Sequence, residues 1–174
     1  MRLHIRTIIL TAIAALFLVT PLDVHAQRGE KSVGLRAGFT TRNTTAAAGL
    51  YFSYRFTEHF RFAPKMDYAF RHYGTDAFLF NFDAEMPIAL NPEKTVNFYP
   101  IGGLNYSTFS THKQVIDTAE SIDSSERTNH FGLNIGAGIE FFPTQTLRLM
   151  LESKCLLMKQ NTGGWINIGI GYRF

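Results

Sequence analysis

The chain has 174 residues, a length that fits one domain, with 45% apolar residues, 18% charged residues and a net charge of +3 at pH 7. Its lysines and arginines are scattered, which excludes the basic patch a nucleic-acid partner would need. Mean hydropathy is −0.03 and the one sustained apolar run, Thr7 to Val19, is too short for a helical membrane span. Aromatics at 14%, 16 of them Phe, favour strands and exclude disorder.

Met1–Arg6 carries two arginines, Thr7–Thr20 is apolar, and Pro21–Ala26 ends in Val24-His25-Ala26. This three-part pattern predicts a secretory signal over residues 1–26, cleaved to leave 27–174. Gln27 rather than Cys follows the cut, so no lipoprotein anchor is expected. Cys155 is the only cysteine. It permits no intramolecular disulfide and reads as one apolar residue of a strand face.

Eight runs of period two follow, separated by turn signals. Ser32–Thr41 sets Val33, Leu35, Ala37 and Phe39 against Ser32, Gly34, Arg36 and Gly38. Ala46–Phe56 sets Leu50, Phe52, Tyr54 and Phe56 against Tyr51, Ser53 and Arg55. Phe60–His72 sets Phe62, Met66, Tyr68 and Phe70 against Arg61, Lys65, Asp67 and Arg71. Asp76–Ile88 sets Phe78, Phe80, Phe82 and Met86 against Asn81, Asp83 and Glu85. Thr95–Thr108 is less regular: Pro100, Ile101, Gly102 and Gly103 predict a bulge or bend and leave its phase open. Asn129–Phe142 sets Phe131, Leu133, Ile135 and Ile139 against Asn134 and Glu140. Thr146–Met158 sets Leu147, Leu149, Leu151 and Cys155 against Arg148, Glu152 and Lys154. Gly164–Phe174 sets Ile166, Ile168, Ile170, Tyr172 and Phe174 against Asn167 and Arg173.

The links alternate too. Those after the second, fourth and sixth runs are short, whereas the opposite rim carries the longest one, read as Phe109 to Thr128. That asymmetry is the outer-membrane barrel pattern. Roughly forty apolar side chains cannot fit inside an eight-stranded barrel, so the apolar face points outward. The other face then lines a narrow lumen with thirteen charges, Arg36, Arg55, Arg61, Lys65, Arg71, Arg148, Lys154 and Arg173 opposite Asp67, Asp83, Glu85, Glu140 and Glu152. These are expected to pair as a structural network rather than to conduct. The expected fold is an all-β, eight-stranded antiparallel up-and-down transmembrane β-barrel, whose closure satisfies every backbone polar group in lipid.

The segment Gly164-Trp165-Ile166-Asn167-Ile168-Gly169-Ile170-Gly171-Tyr172-Arg173-Phe174 resembles the last strand of the small OmpX/Ail-type outer-membrane proteins, and Gly136 to Pro143 resembles their sixth strand and following turn. The match covers roughly the last 45 residues, within the few-position uncertainty of element boundaries. It implies that Ile170, Tyr172 and Phe174 form the signal read by the barrel-assembly machinery. It also implies a non-enzymatic surface protein supporting envelope integrity, with adhesion or host-factor binding through the outer loops. Runs five and six would extend as a ribbon whose edge or tip, including Lys113, Val115, Ile116 and Asp117, binds a protein or surface polysaccharide.

Two alternatives are a narrow channel for ions or small solutes and a lipid-modifying barrel enzyme. Lipid-A deacylases use a His-x-Ser spacing, but the residues two after His59, His72, His112 and His130 are Arg61, Gly74, Gln114 and Gly132. The histidines also lack a ligand-like spacing for a metal. The expectation is therefore no catalytic residue, metal or cofactor. The expected partners are outer-membrane lipid and lipopolysaccharide, the assembly machinery and a host or surface protein. The chain is expected to be a monomer in a Gram-negative-type outer membrane with both termini periplasmic.

Overall fold

The computed structural model of the chain describes residues 29–42, 44–117, 120–159 and 162–174; for 112–117 and 120–125 it describes the backbone alone. The expected signal, 1–26, lies outside the described residues.

The strands are β1 (Lys31–Thr40), β2 (Thr45–Thr57), β3 (Phe60–His72), β4 (Thr75–Glu85), β5 (Ile88–Ala89), β6 (Val96–Asp117), β7 (Glu120–Phe141), β8 (Leu147–Met158) and β9 (Gly163–Arg173). Every strand pairs antiparallel with the next in sequence except β4, which, like β5, pairs with β6, and the sheet closes through β1 on β9, with Leu35 opposite Ile170, and β4 on β6, with Asp83 opposite Gly103. The two-residue β5 continues the fourth stave in the same register, Ile88 facing Phe98. The result is an eight-staved closed barrel.

Alternation sets the orientation. Leu35, Leu50, Phe82, Leu133, Ile139, Leu151 and Ile168 all face outward and are exposed, Ile168 by 63%. Their neighbours in the opposite phase are inside, and Asp83, Glu85, Glu140 and Glu152 are 0% exposed. Along β3 the outward aromatics Phe60 and Phe70 mark the two ends of the apolar band. Ten residues at the usual strand rise and barrel tilt give about 25 Å, the height of an outer-membrane apolar band.

The expected bulge at Pro100–Gly103 is absent. β6 keeps one register against β7 from Val96↔Phe141 to Asp117↔Glu120, and Tyr99, Ile101, Asn105 and Ser107 all point inward. Pro100 is accommodated because it faces the place where the fourth stave breaks at Met86-Pro87. Its carbonyl accepts from the Met86 N–H at 3.2 Å, and the return bond, for which proline has no donor, falls in that break.

A second correction concerns the link read as Phe109–Thr128. Its described residues are strand, with β6 and β7 running 22 residues each as a single ladder. β4 stops pairing with β6 at Thr75↔Thr111, and β8 starts on β7 only at Gly132↔Met158. Beyond those points the two strands pair with each other alone and stand clear of the barrel as a ribbon. Outside lipid neither face of the ribbon needs to be apolar, so the period-two signal vanishes although the strands continue.

The opposite rim carries both described chain ends and the short links at Glu58-His59, 90–95 and 142–146. Lys31 and Phe174 exchange backbone hydrogen bonds at 2.9 Å, so the seam between first and last strands is zipped to its final residue. Between β3 and β4, Tyr73 and Gly74 both have positive φ, 50° and 75°, the turn geometry that matches strand twist in a two-residue hairpin.

Candidate functional site

Two regions carry polar chemistry: the lumen and the ribbon. The lumen is layered. At the ribbon end Phe109, Trp165, Met158, Leu156 and Leu79 close over Ala47, Ala69 and Ala77. The residual space within this plug is about 10 Å³, room for one water molecule at most. Arg42 covers it from the rim, its guanidinium 4.7 Å from the Phe109 ring centre.

Below the plug an amide cluster precedes the charges. The Asn81 carbonyl oxygen accepts from the side-chain amides of Asn105 at 2.8 Å and Asn134 at 3.0 Å, and the Asn81 amide donates to Asp67 at 3.1 Å. Glu152 accepts from Lys65 at 2.6 Å, Arg36 at 3.0 Å and the Tyr99 hydroxyl at 3.1 Å. Asp83 takes Lys154 at 2.8 Å and Lys65 at 3.1 Å, and Arg36 reaches Asp67 at 2.8 Å. Nearer the terminal rim, Arg61 donates to Glu85 at 2.6 Å and to Glu140 at 2.8 Å, while the Arg148 Nε lies 2.8 Å from Glu140. Arg61 and Arg148 both pack on the Tyr99 ring, 4.9 Å and 5.8 Å from its centre. Gly138 makes this packing possible, since a Cβ there would enter the Tyr99 ring.

Of the thirteen predicted lumen charges, Arg36, Arg55, Arg61, Lys65, Asp67, Asp83, Glu85, Glu140, Arg148, Glu152 and Lys154 are buried inside. Arg173 sits at the terminal mouth, 3.6 Å from Glu30. Arg71 is a correction: its side chain is 57% exposed and pairs with Asp76 at 3.7 Å on the ribbon-side rim. The register of β3 on β4 slips by one residue between Ala69 and His72, so the inward phase set by Arg61, Lys65 and Asp67 is not carried to Arg71.

Sequence reasoning missed several members. Glu30 is buried beside Arg55 and Arg173, and its signal was the phase, two residues before Ser32 on the inward face. Tyr99 was hidden by the open phase of the fifth run. Trp165 and Met158 were hidden because large apolar residues are not expected on a polar face. Ile170 and Phe174 are exposed on the outer surface, and Tyr172 stacks on Phe174 at 6.1 Å between ring centres. Among the described residues no group of His, Cys, Asp or Glu could hold a metal ion.

The ribbon's chemistry is backbone chemistry. Phe142 N–H donates to Thr95 C=O, which fixes the parity: even-numbered β7 residues bond β6, and odd-numbered ones turn their N–H and C=O to the other side. From Gly132 to Phe141 that side is β8, whereas along Ser121, Asp123, Ser125, Arg127 and Asn129 no strand among the described residues faces it. Lys113, Val115, Ile116 and Asp117 lie on β6 opposite Ser124, Ile122, Ser121 and Glu120, and their side chains lie outside the described residues.

Comparison with known proteins agrees with this architecture. No curated protein matches the sequence. Among solved structures the chain is similar to the amino-terminal barrel of Pseudomonas aeruginosa OprF, with 15% identity, 86% of this chain and 100% of that one covered, and a TM-score of 0.68. It is also similar to Ail, the attachment invasion locus protein of Yersinia pestis, with 18% identity, coverage of 85% and 100%, and a TM-score of 0.60. Neisserial surface protein A gives 16% identity, coverage of 83% and 96%, and a TM-score of 0.57. At these identities the likeness is one of fold. The model of the outer membrane protein beta-barrel domain matches residues 11–174, so the chain belongs to that family of outer-membrane β-barrels.

Proposed function

We propose that this barrel is a non-enzymatic surface protein that supports the outer-membrane envelope and uses the β6–β7 ribbon to capture an extended segment of another protein by strand addition. The termini then face the periplasm and the ribbon faces outward. The observation that carries this reading is the free β7 edge. Over 120–131 no strand among the described residues pairs with it on the β8 side, so about 40 Å of strand offers alternate donors and acceptors at the usual rise. The polar run Glu126-Arg127-Thr128-Asn129 is exposed, which keeps this edge soluble without blocking it. The similarity to a protein named for attachment supports the same reading. In the same proposal Ile170, Tyr172 and Phe174 are the segment the assembly machinery reads, and the barrel works as a monomer in contact with lipopolysaccharide.

A conducting role draws no support from the lumen, which is filled by ion pairs and sealed by the apolar plug.

The parity of the ladder supplies a sharp test. Proline at Arg127 and Asn129 removes two donors from the free edge while leaving the β6 ladder intact, whereas proline at Thr128 removes a donor from that ladder. Cells displaying the Arg127→Pro/Asn129→Pro variant should lose binding to host matrix or serum proteins while retaining a folded barrel. Binding that survives both this variant and deletion of Lys113 to Glu126 would refute capture by the ribbon.

A further inference from the structure

β8 makes its last pair on β7 at Gly132↔Met158, and the chain then turns at Lys159 toward β9, with the Thr162 hydroxyl donating to the Met158 carbonyl at 3.3 Å. The lane beside Asn129, Arg127, Ser125, Asp123 and Ser121 is the straight continuation of β8, and no strand among the described residues fills it. β7 pairs antiparallel with both β6 and β8. A strand that enters the lane in the direction of β8 keeps β7 in the bonding pattern it already holds, whereas a parallel one imposes slanted, slightly weaker bonds on the same residues. The favoured direction sets the amino end of the incoming strand against Met158 and Lys159 and its carboxyl end toward the ribbon tip.

Direction fixes which side chains meet. The incoming residue opposite Asn129 precedes the one opposite Arg127 by two, and both share the outward face with Phe131. Phe131 is 78% exposed, more than any other apolar side chain of β7, because β8 has ended beside it. Tyr106 covers it from the β6 side, with 4.8 Å between ring centres. Phe131 to Phe141 spans as many residues as Phe60 to Phe70 on β3, so Phe131 marks the ribbon-side edge of the apolar band. A side chain opposite Asn129 is its diagonal neighbour, within reach of an aromatic or long apolar group. Arg127 is exposed and enters no ion pair among the described residues, so a carboxylate directly opposite supplies the partner it lacks. On the other face Glu126 and His130 already have partners, which leaves selection to the outward side.

We infer that the ribbon, on the reading that it captures a strand, takes an extended segment with an apolar or aromatic residue two places before an acidic one, this pair lying at the segment's membrane-proximal amino end. The apolar residue covers Phe131 at the edge of the lipid band, and the acid meets Arg127 just above it in water. A parallel strand would need the opposite order, so the order of the two residues reports direction.

The test titrates acetylated, amidated threonine nonapeptides, long enough to face 121–129, into the full barrel in lipid nanodiscs, read as backbone amide shifts. The forward probe carries phenylalanine at its first place and glutamate at its third, the reversed probe exchanges them, and a third probe replaces the glutamate of the forward one by lysine. The forward probe should bind saturably, with shifts along 121–131, and about fivefold more tightly than the reversed one, the gain expected from two cross-strand pairs of moderate strength. Arg127→Glu should invert the preference between the glutamate and lysine probes, which a change in the stability of the edge alone would not do. Phe131→Ala should narrow the gap between forward and reversed probes. Both side chains are exposed, so these variants leave the barrel intact. If no probe binds, or if binding survives Arg127→Pro/Asn129→Pro, strand capture fails and this assignment with it. If binding is saturable and lost in the proline variant, yet indifferent to order and not inverted by Arg127→Glu, capture stands and the assigned direction and side chains are overturned.

Discussion

Glu140 is the carboxylate whose loss should be felt most. Its two oxygens receive Arg61 at 2.8 Å and 3.0 Å, the Arg148 Nε at 2.8 Å and the Asn97 amide at 3.0 Å, with Arg55 at 3.7 Å, and the residue is 0% exposed. Each of the two close arginine pairs has a gross attraction of about 4 kcal/mol at an effective dielectric near 20. Most of that is already offset by desolvating three charges. In Glu140→Ala the offset persists and the attraction does not, so Arg61 and Arg148 are left close to each other beside the Tyr99 ring with less compensation. The expected net loss is about 3–5 kcal/mol. Reversible urea unfolding in micelles, followed by tryptophan fluorescence and by heat-modifiable gel migration, measures it. Glu58→Ala on the exposed turn is the control and should stay within about 0.5 kcal/mol. Glu140→Leu combined with Arg148→Met removes one charge of each sign, and it should recover at least half the loss because no new unpaired charge remains. If Glu140→Ala unfolds like the Glu58 control, or if the double variant is no better than Glu140→Ala, the lumen network is not what holds the barrel.

Three further outcomes follow from the geometry. Gly138→Ala drives a methyl into Tyr99 and should cost about 1–3 kcal/mol, whereas Gly102→Ala, with no atom within 4 Å of its Cβ position, should be neutral or slightly stabilising; the same unfolding assay compares them. Trp165→Ala opens the apolar plug and should cost about 3–5 kcal/mol, yet planar-bilayer current should stay at background because the ion-paired layers beneath remain filled. Deletion of Phe174 removes both backbone bonds to Lys31 and the exposed terminal aromatic, and pulse-labelled cells should accumulate unassembled chain; a normal folded yield would count against a terminal assembly signal.

The membrane-embedded part of this fold was legible because lipid imposes a rule on every second residue. Phe60–His72 was read with its observed bounds, and the inward phase of Arg61, Lys65 and Asp67 followed from Phe62, Met66 and Tyr68 being outward. Where lipid ends, the rule ends. Arg71 lies at the rim past a one-residue slip of β3 on β4, and Thr111–Asp117 continues β6 with no apolar face to announce it. The lumen follows a different rule again. It must be filled rather than merely polar, so Tyr51, Tyr99 and Trp165 occupy inward positions that a polarity criterion assigns to small or charged residues. Tyr99 and Ile101 inside with Pro100 and Gly102 outside inverted the local contrast, which is why the fifth run gave no phase. The terminal mouth was illegible for another reason: Glu30, Asn97 and Arg173 meet only when the first and last strands close on each other.

That closure gives the ion pairs a meaning in time as well as in energy. Arg36 on β1 and Lys65 on β3 share Glu152 on β8, and Arg61 on β3 shares Glu140 with Arg148 on β8. Only Arg148 and Glu140 are neighbours on one hairpin; the other partners meet only across the closed lumen. A half-zipped sheet therefore holds most of its charges in water at little benefit or cost, and the set that crosses the lumen pairs and dries together when β1 meets β9. Assembly of this barrel should thus gain little by steps: the hairpin pairs Arg61–Glu85 and Arg148–Glu140 can form early, but the pairs that cross the lumen to Glu152 form and dry only when the last seam closes, and that seam commits all the others.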